Sequence, residues 1–201
     1  MLLSLGADLE IHSMTKYING HGDSLGGCVL GRTELLEQVK NVAMVNFGGI
    51  LSPFNAWLIN RGLTTVPLRM AQHSKVALAV ARFLESCPAV RFVWYPGLES
   101  HPQHERAKKQ MQGQYSGMIS FDIVGDEKAH ERFLDSLKLV THAVSLGDIE
   151  SLIVYYDKNS DKLPHYPDIY KEGFFRFSVG LENEDDLIAD LKQAMESAGV
   201  L

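Results

Sequence analysis

A chain of 201 residues with 45% hydrophobic content can bury a sizeable core and suits one large or two small domains. Its 25 acidic and 19 basic side chains leave a net charge of -6, and no basic run or stripe occurs, so nucleic acid is excluded as an expected partner. The two cysteines, Cys28 and Cys87, lie among apolar neighbours, no stretch approaches the roughly 20 apolar residues of a membrane span, and the opening Met1-Leu2-Leu3-Ser4-Leu5 lacks the basic start of a secretory signal. The expectation is a cytoplasmic protein without a membrane partner and without a disulfide.

In chain order, the pattern predicts a strand over Asp8 to Ser13, a polar glycine turn, and a second strand over Gly27 to Gly31. Thr33 is the expected cap of a helix from Glu34 to Val45, and Ser52-Pro53 opens a helix through Leu58 to Asn60 that Gly62 is expected to interrupt. A long helix follows over Pro67 to Cys87, with Val76, Val80, Phe83 and Leu84 at helical spacing and Pro88 as its stop. Beyond it come strand Val90 to Tyr95, helix Pro102 to Gln112, strand Gly117 to Val124 and helix Glu127 to Leu137. Strands Val140 to Ser145, Leu152 to Tyr156 and Phe174 to Leu181 precede a last helix, Glu184 to Ala198, which Asn183 caps. The second part reads as a compact α+β domain with a small sheet, and the polar stretch Asp157 to Gly173 as a loop.

The chemistry concentrates in Ser13-Met14-Thr15-Lys16-Tyr17-Ile18-Asn19-Gly20-His21-Gly22-Asp23, directly behind the first strand. In an extended segment Ser13 and Thr15, at i and i+2, share one face while Lys16 projects from the other. Two hydroxyls beside an amine suit a pyridoxal phosphate, whose phosphate needs an anchor and whose aldehyde condenses with lysine. The same spacing also describes an ordinary polar turn with a solvated lysine. His101-x-x-His104 has the spacing of two metal ligands, but no further ligand is evident, and no metal is expected. His12, His21 and His142 read as structural.

The run Ser13-x-Thr15-Lys16-Tyr17-x-Asn19-Gly20-His21-x-Asp23-x-x-Gly26-Gly27 closely resembles the lysine signature of the pyridoxal-phosphate-dependent enzymes of cysteine and methionine metabolism, the transsulfuration family. The resemblance continues through Ser52 to Trp57, Arg61-Gly62-Leu63-x-Thr65, Leu68-Arg69-Met70, Tyr95 to Leu98 and His101 to His104. It ends with Ser145-Leu146-Gly147-x-x-Glu150-Ser151-Leu152 and Arg176 to Glu182, so it covers nearly the whole chain.

The resemblance implies an α/β chain. Residues 1–62 would be the terminal part of a fold type I cofactor domain, and 63–201 a compact α+β C-terminal domain with a small, mainly antiparallel sheet. It implies pyridoxal 5'-phosphate as cofactor, Lys16 as the residue that holds it and moves protons, and Ser13 and Thr15 as phosphate-binding hydroxyls. Arg176 would grip the substrate α-carboxylate through its planar fork, with Ser145 close to both that carboxylate and the lysine. A sulfur-containing amino acid is the implied substrate, and a homo-oligomer, dimer or homotetramer, the implied assembly. Wording around Ala56-Trp57-Leu58-Ile59 and Ala143-Val144-Ser145 leans towards a methionine γ-lyase-like carbon-sulfur lyase.

Two departures accompany the resemblance. Met1 falls just before the lysine strand, so roughly the first half of a family chain, with the aspartate that meets the pyridine nitrogen, the aromatic residue that stacks on the ring and the residues that reach into a neighbour's site, is expected to be missing. After Ile153 the chain reads Val154-Tyr155-Tyr156-Asp157 where many lyases carry a His-Pro-Ala-x-Met-Thr-His segment. The alternatives are a cystathionine γ-synthase or O-acylhomoserine sulfhydrylase, or a noncatalytic fragment that binds a complementary half or self-associates.

Overall fold

The computed structural model describes residues 2–201. They form two compact units, one extending to Val66 and the other from Pro67 to Leu201.

The first unit is built on an antiparallel hairpin of β1 (Leu9–Ser13) and β2 (Gly27–Gly31), in which Ile11 faces Val29 and Ser13 faces Gly27. Helix α1 (Thr33–Lys40) runs into a wider π-helical stretch, Asn41–Asn46. Thr33 is the first helical residue rather than its cap; Arg32 takes the cap position and offers no side-chain bond. Helix α2 (Pro53–Leu63) starts as its sequence requires: Ser52 Oγ accepts the Asn55 N–H, and Pro53, which has no N–H to leave unpaired, stands in the first turn. Gly62 does not interrupt α2, and its missing side chain serves packing instead. A Cβ there would overlap the backbone carbonyl of Asn19.

The second unit starts with α3, which spans Val66–Ser86 in the chain, and continues with β3 (Val90–Trp94), α4 (His104–Met111), β4 (Met118–Ile123) and α5 (Glu127–Ser136). Strands β5 (Thr141–His142), β6 (Leu152–Asp157) and β7 (Gly173–Ser178) and helix α6 (Glu184–Ala198) complete it. The sheet has the order β3-β4-β7-β6-β5, antiparallel throughout except for the parallel pair β5 and β6. The molecule is therefore mixed α/β, with a two-stranded antiparallel sheet and a mixed five-stranded one.

Alternation along β7 sends Phe175 and Phe177 into the core, where Phe175 stacks on Phe121 at 5.2 Å and meets Phe133 edge-on at 5.1 Å. Leu187, Leu191, Ala194 and Met195 supply the buried stripe of α6, which Asn183 caps and Gly199, at φ 75°, terminates in the left-handed region. The predicted strand over Val140 to Ser145 shrinks to two residues. Asp190 accepts the N–H groups of Lys138, Leu139 and Val140, which removes them from any ladder, and Ser145 turns the chain away at φ 93°. The predicted helix over Pro102 to Gln112 is shorter too, because Gln103 lies outside helical geometry and Gln112 is left-handed at φ 52°. Strand β7 stops at Ser178 rather than Leu181, since the following backbone bonds to loops instead of strands.

Candidate active site

Lys16 lies in a π-helical turn, Met14–Ile18, where the backbone breaks from helical geometry at Lys16 itself (φ -90°, ψ -140°). Gly26 closes the turn from one side, its carbonyl accepting the N–H groups of Met14 and Thr15 at 2.9 and 3.2 Å. The Thr15 hydroxyl completes that closure, accepting the Gly26 N–H at 3.0 Å and donating to the Gly26 carbonyl at 3.3 Å. On the other side, buried Asn19 sits against Gly62 of α2 and donates from Nδ2 to Asp23 at 2.8 Å. Bonds from Asn19 N–H to the Met14 carbonyl and from Gly20 N–H to the Lys16 carbonyl finish the turn. Any side chain at Gly62 would push on backbone here, so Gly62 and Gly26 fix where Lys16 stands.

Ser13 and Thr15 do not share the face expected of an extended segment. Ser13 ends β1 with an exposed side chain, whereas Thr15 lies inside the turn with its hydroxyl on Gly26. Formation of the turn directly after Ser13 breaks the i, i+2 alternation. His21 Nδ1 donates to the Asn19 carbonyl at 2.6 Å and His12 pairs with Glu10 at 2.8 Å, so both act locally in the architecture.

The second unit brings two distant segments together. Arg176, in the middle of β7, donates from Nη2 to the Ser145 carbonyl at 2.8 Å. Ser145 holds a positive φ of 93° without being glycine, a conformation that costs energy and that the neighbouring bonds must enforce. Those bonds are explicit. The Gly147 N–H donates to Ser178 Oγ at 2.9 Å, Leu181 N–H to the Ile149 carbonyl at 2.8 Å, and Gly180 N–H to Ser151 Oγ at 2.8 Å. Glu182 accepts both the Ser151 N–H and its hydroxyl, at 2.6 and 2.9 Å. A Cβ on Gly180 would collide with the Ile149 carbonyl, so only glycine lets the two segments approach this closely.

The guanidinium of Arg176 is thereby held by one bond with capacity left over. Its Nε is buried and has no hydrogen-bond partner among the described residues, and its charge lies 5.8 Å from the centre of the Tyr156 ring. A buried unpaired N–H is costly, and a carboxylate is the acceptor that a guanidinium edge matches best.

Sequence reasoning passed over two polar residues of α3. Arg69 and His73, four positions apart and so on one helix face, are both buried. His73 Nδ1 donates to the Val179 carbonyl at 2.8 Å, fastening α3 to the segment after β7. Burial lowers the Arg69 pKa from its ordinary value, while the charge of Asp148 opposes that shift. Burial also lowers the pKa of His73, opposed by its bond to Val179 and assisted by the nearby Arg69 charge. The signal was present in the sequence as two basic residues at i and i+4 on the apolar side of a helix.

The histidine pair is engaged locally. His101 Nδ1 accepts the Gln103 N–H at 3.2 Å and the ring packs against Trp94 at 4.7 Å, while His104 Nδ1 donates to the Pro96 carbonyl at 3.0 Å. Among the described residues no three metal-ligating side chains converge, and no helix is long and apolar enough to cross a membrane.

Residues 2–196 match the family described as Cys/Met metabolism PLP-dependent enzyme. The canavanine gamma-lyase of Rhizobium leguminosarum bv. trifolii is 50% identical over 197 residues, a match covering 96% of this chain and 49% of that protein. The L-methionine gamma-lyase of Porphyromonas gingivalis is 45% identical over 97% of this chain and 50% of its own length. The chloroplastic cystathionine gamma-synthase 1 of Arabidopsis thaliana is 43% identical over 97% of this chain and 35% of its own length. The chain thus spans about half the length of the lyases it matches.

Proposed function

From the premise that this chain belongs to the Cys/Met metabolism family of PLP-dependent enzymes, we propose that it is the lysine-bearing and carboxylate-binding portion of a carbon-heteroatom γ-lyase of the methionine γ-lyase type. The observation that carries the reading is Arg176, a guanidinium with a buried, unpartnered Nε held by the Ser145 carbonyl. That donor fits an α-amino acid carboxylate, and the family's cofactor chemistry acts on α-amino acids.

The residues present also fit the cofactor. An exposed residue, Ser13, and Lys16 stand three positions apart around a turn braced through the N–H groups of Met14, Thr15, Asn19 and Gly20. Lys16 would hold pyridoxal phosphate covalently and Ser13 would donate to its phosphate. Thr15 would join Ser13 by turning its hydroxyl proton outward while its oxygen keeps the Gly26 N–H. When bound, the cofactor supplies an electron sink for charge developing at the substrate α-carbon.

Arg176 would hold the substrate through its carboxylate. Lys16 Nζ would take the α proton and return protons as the γ substituent leaves, so that a sulfur amino acid and one water yield a thiol, a 2-oxo acid and ammonia. Ser145, through its strained backbone, fixes the guanidinium edge that the carboxylate meets. The working protein would be a cytoplasmic homo-oligomer. A second reading, canavanine as the substrate, rests on the 50% identity with the Rhizobium lyase.

The test is to add pyridoxal phosphate to the purified chain, alone and in the presence of the family half it does not span, and to trap the adduct with borohydride. Peptide mapping is expected to find the label on Lys16, and Lys16→Ala to lose it. In active preparations, Arg176→Ala should raise KM for methionine about tenfold or more with cofactor labelling unchanged. Labelling that ignores Lys16→Ala would sink the assignment.

A further inference from the structure

The face of the five-stranded sheet turned away from the Phe175 and Phe177 core carries a second, smaller apolar cluster. Leu163, Tyr170 and Phe174 are buried in it, and Phe92, Trp94 and Tyr156 pack against them. Alternation along β7 puts Phe174 and Arg176 on this face together, two residues apart. The register sets Tyr156 of β6 directly opposite Phe174, with the rings 5.2 Å apart, and so one diagonal step from Arg176. The residues directly opposite Arg176 are Ser120 and Val154, both short. The aromatic neighbour of the guanidinium is Tyr156, whose ring centre lies 5.8 Å from Cζ.

Two supports therefore meet at Arg176. The Ser145 carbonyl accepts from Nη2 at 2.8 Å and fixes one corner of the guanidinium, and the Tyr156 ring meets its cationic centre. A guanidinium held at one nitrogen alone can swing about that bond. An aromatic face within about 6 Å removes the freedom, because the ring quadrupole attracts the cation. The Nε of Arg176 is buried without an acceptor among the described residues although the residue as a whole is only half-buried, so a neighbour must shield it. The ring is itself held in place. Phe174 beside it meets Tyr170 at 4.4 Å, and Lys162 Nζ lies 5.0 Å from the Tyr156 ring centre. Tyr156 also lies in the segment Val154-Tyr155-Tyr156-Asp157, where the chain departs from the wording of many lyases.

We propose that Tyr156 is a positioning residue for the carboxylate of the α-amino acid substrate. Its ring holds the guanidinium against the Ser145 carbonyl and shields Nε from water, so that the edge of Arg176 meets a carboxylate without first losing a bound water. Residues 158–172 act through the ring, by packing Leu163 and Tyr170 on Phe174 and setting Lys162 over Tyr156. This role rests on the proposed reading of Arg176 as the partner of the carboxylate, whereas the hold of the ring on the guanidinium is measurable without substrate.

The full chain is prepared with isotope-labelled arginine, and exchange of the Arg176 Nε–H with water is followed by NMR, the signal being assigned by its loss in Arg176→Lys. A slowly exchanging Nε–H is expected in the parent. Tyr156→Leu should speed its exchange about tenfold or more, while Tyr156→Phe, which keeps the ring, should stay within about twofold of the parent. Pentafluorophenylalanine placed at residue 156 keeps the shape of the ring and reverses its quadrupole, so it tests the same hold even where Tyr156→Leu fails to fold. Exchange about threefold faster or more is expected from it. In active preparations, Tyr156→Leu should raise KM for methionine about threefold or more with kcat within about twofold, and Tyr156→Phe should restore KM. Adding Tyr156→Leu to Arg176→Ala should raise KM no further, because the ring acts through the guanidinium. A fast Nε–H in the parent, or exchange indifferent to both Tyr156→Leu and the fluorinated ring, overturns the inference. If Arg176→Ala raises KM and Tyr156→Leu does not, the positioning role falls and the proposed function stands. If Arg176→Ala leaves KM unchanged, the proposed function falls, and with it the role of Tyr156 in binding, whatever the exchange shows of the ring's hold.

Discussion

The two units hold their candidate site residues by different physics. The lysine turn is positioned by backbone bonds to Gly26 and by the close approach of Gly62 to Asn19, with Ile59 as the sole buried hydrophobic side chain among the described residues of its unit. Arg176 instead stands on a central strand whose neighbours Phe175 and Phe177 are wholly buried, and its contact segment is tied down by Ser178, Gly180 and Glu182. Hydrogen bonds can define a local geometry, but net stability comes mainly from buried apolar area. Among the described residues the arginine side therefore rests on buried apolar packing, and the lysine side on local hydrogen bonds and close backbone contacts.

The sharpest way to break this contrast is to remove one phenyl ring from each unit. Phe175→Ala, which empties a site between Phe121, Phe133 and Tyr155, is expected to cost about 3–5 kcal/mol in denaturant unfolding. Phe54→Ala, at an exposed position, should stay within about 0.5 kcal/mol. Equal losses from the two would refute the difference in core.

A pair of glycines tests the backbone contacts next. Gly180→Ala sets a methyl against the Ile149 carbonyl and should lower the stability of the second unit by about 1–3 kcal/mol, read as a fall in its melting temperature. Gly62→Ala makes the same kind of clash with Asn19, yet it should speed amide exchange around Asn19 and Gly20 without moving the melting of the second unit.

The smallest expected effect is electrostatic. Burial alone would raise the Asp190 carboxyl, but the N–H groups of Val140, Leu139 and Lys138 and the Gln193 amide outweigh it and hold the pKa below the ordinary value. A carboxyl depressed in the folded state contributes its full stability above the unfolded pKa of about 3.9 and loses it as pH falls through the folded value. Asp190→Asn should accordingly cost about 1–2 kcal/mol at pH 7, with the gap from the parent closing below about pH 4. A gap that is constant with pH would assign the effect to packing.

Local signals located most elements because their causes are local. Asn183 and Gly199 bracket α6, Ser52-Pro53 opens α2, and short apolar runs ahead of polar or glycine turns mark β1 and β2. The errors occurred where a distant residue intervened. Asp190 withdrew three N–H groups from the predicted strand at Val140, Ser151 drew Gly180 out of the ladder, and Asn19 gave Gly62 a packing role that resembled a helix breaker.

The candidate site divides along the same line. Its residue types and family wording were legible, from Lys16 in its hydroxyl-rich turn to Arg176 and Ser145, because chemistry depends on side-chain identity. The sequence by itself determined the family and the motif set. Tertiary structure alone decided that Arg176 grips the Ser145 carbonyl and retains a buried free Nε, that Thr15 spends its hydroxyl on Gly26, and that Arg69 and His73 lie beneath the helix surface. Each of these depends on groups distant in the chain meeting where water is excluded, and spacing along a sequence carries no record of that.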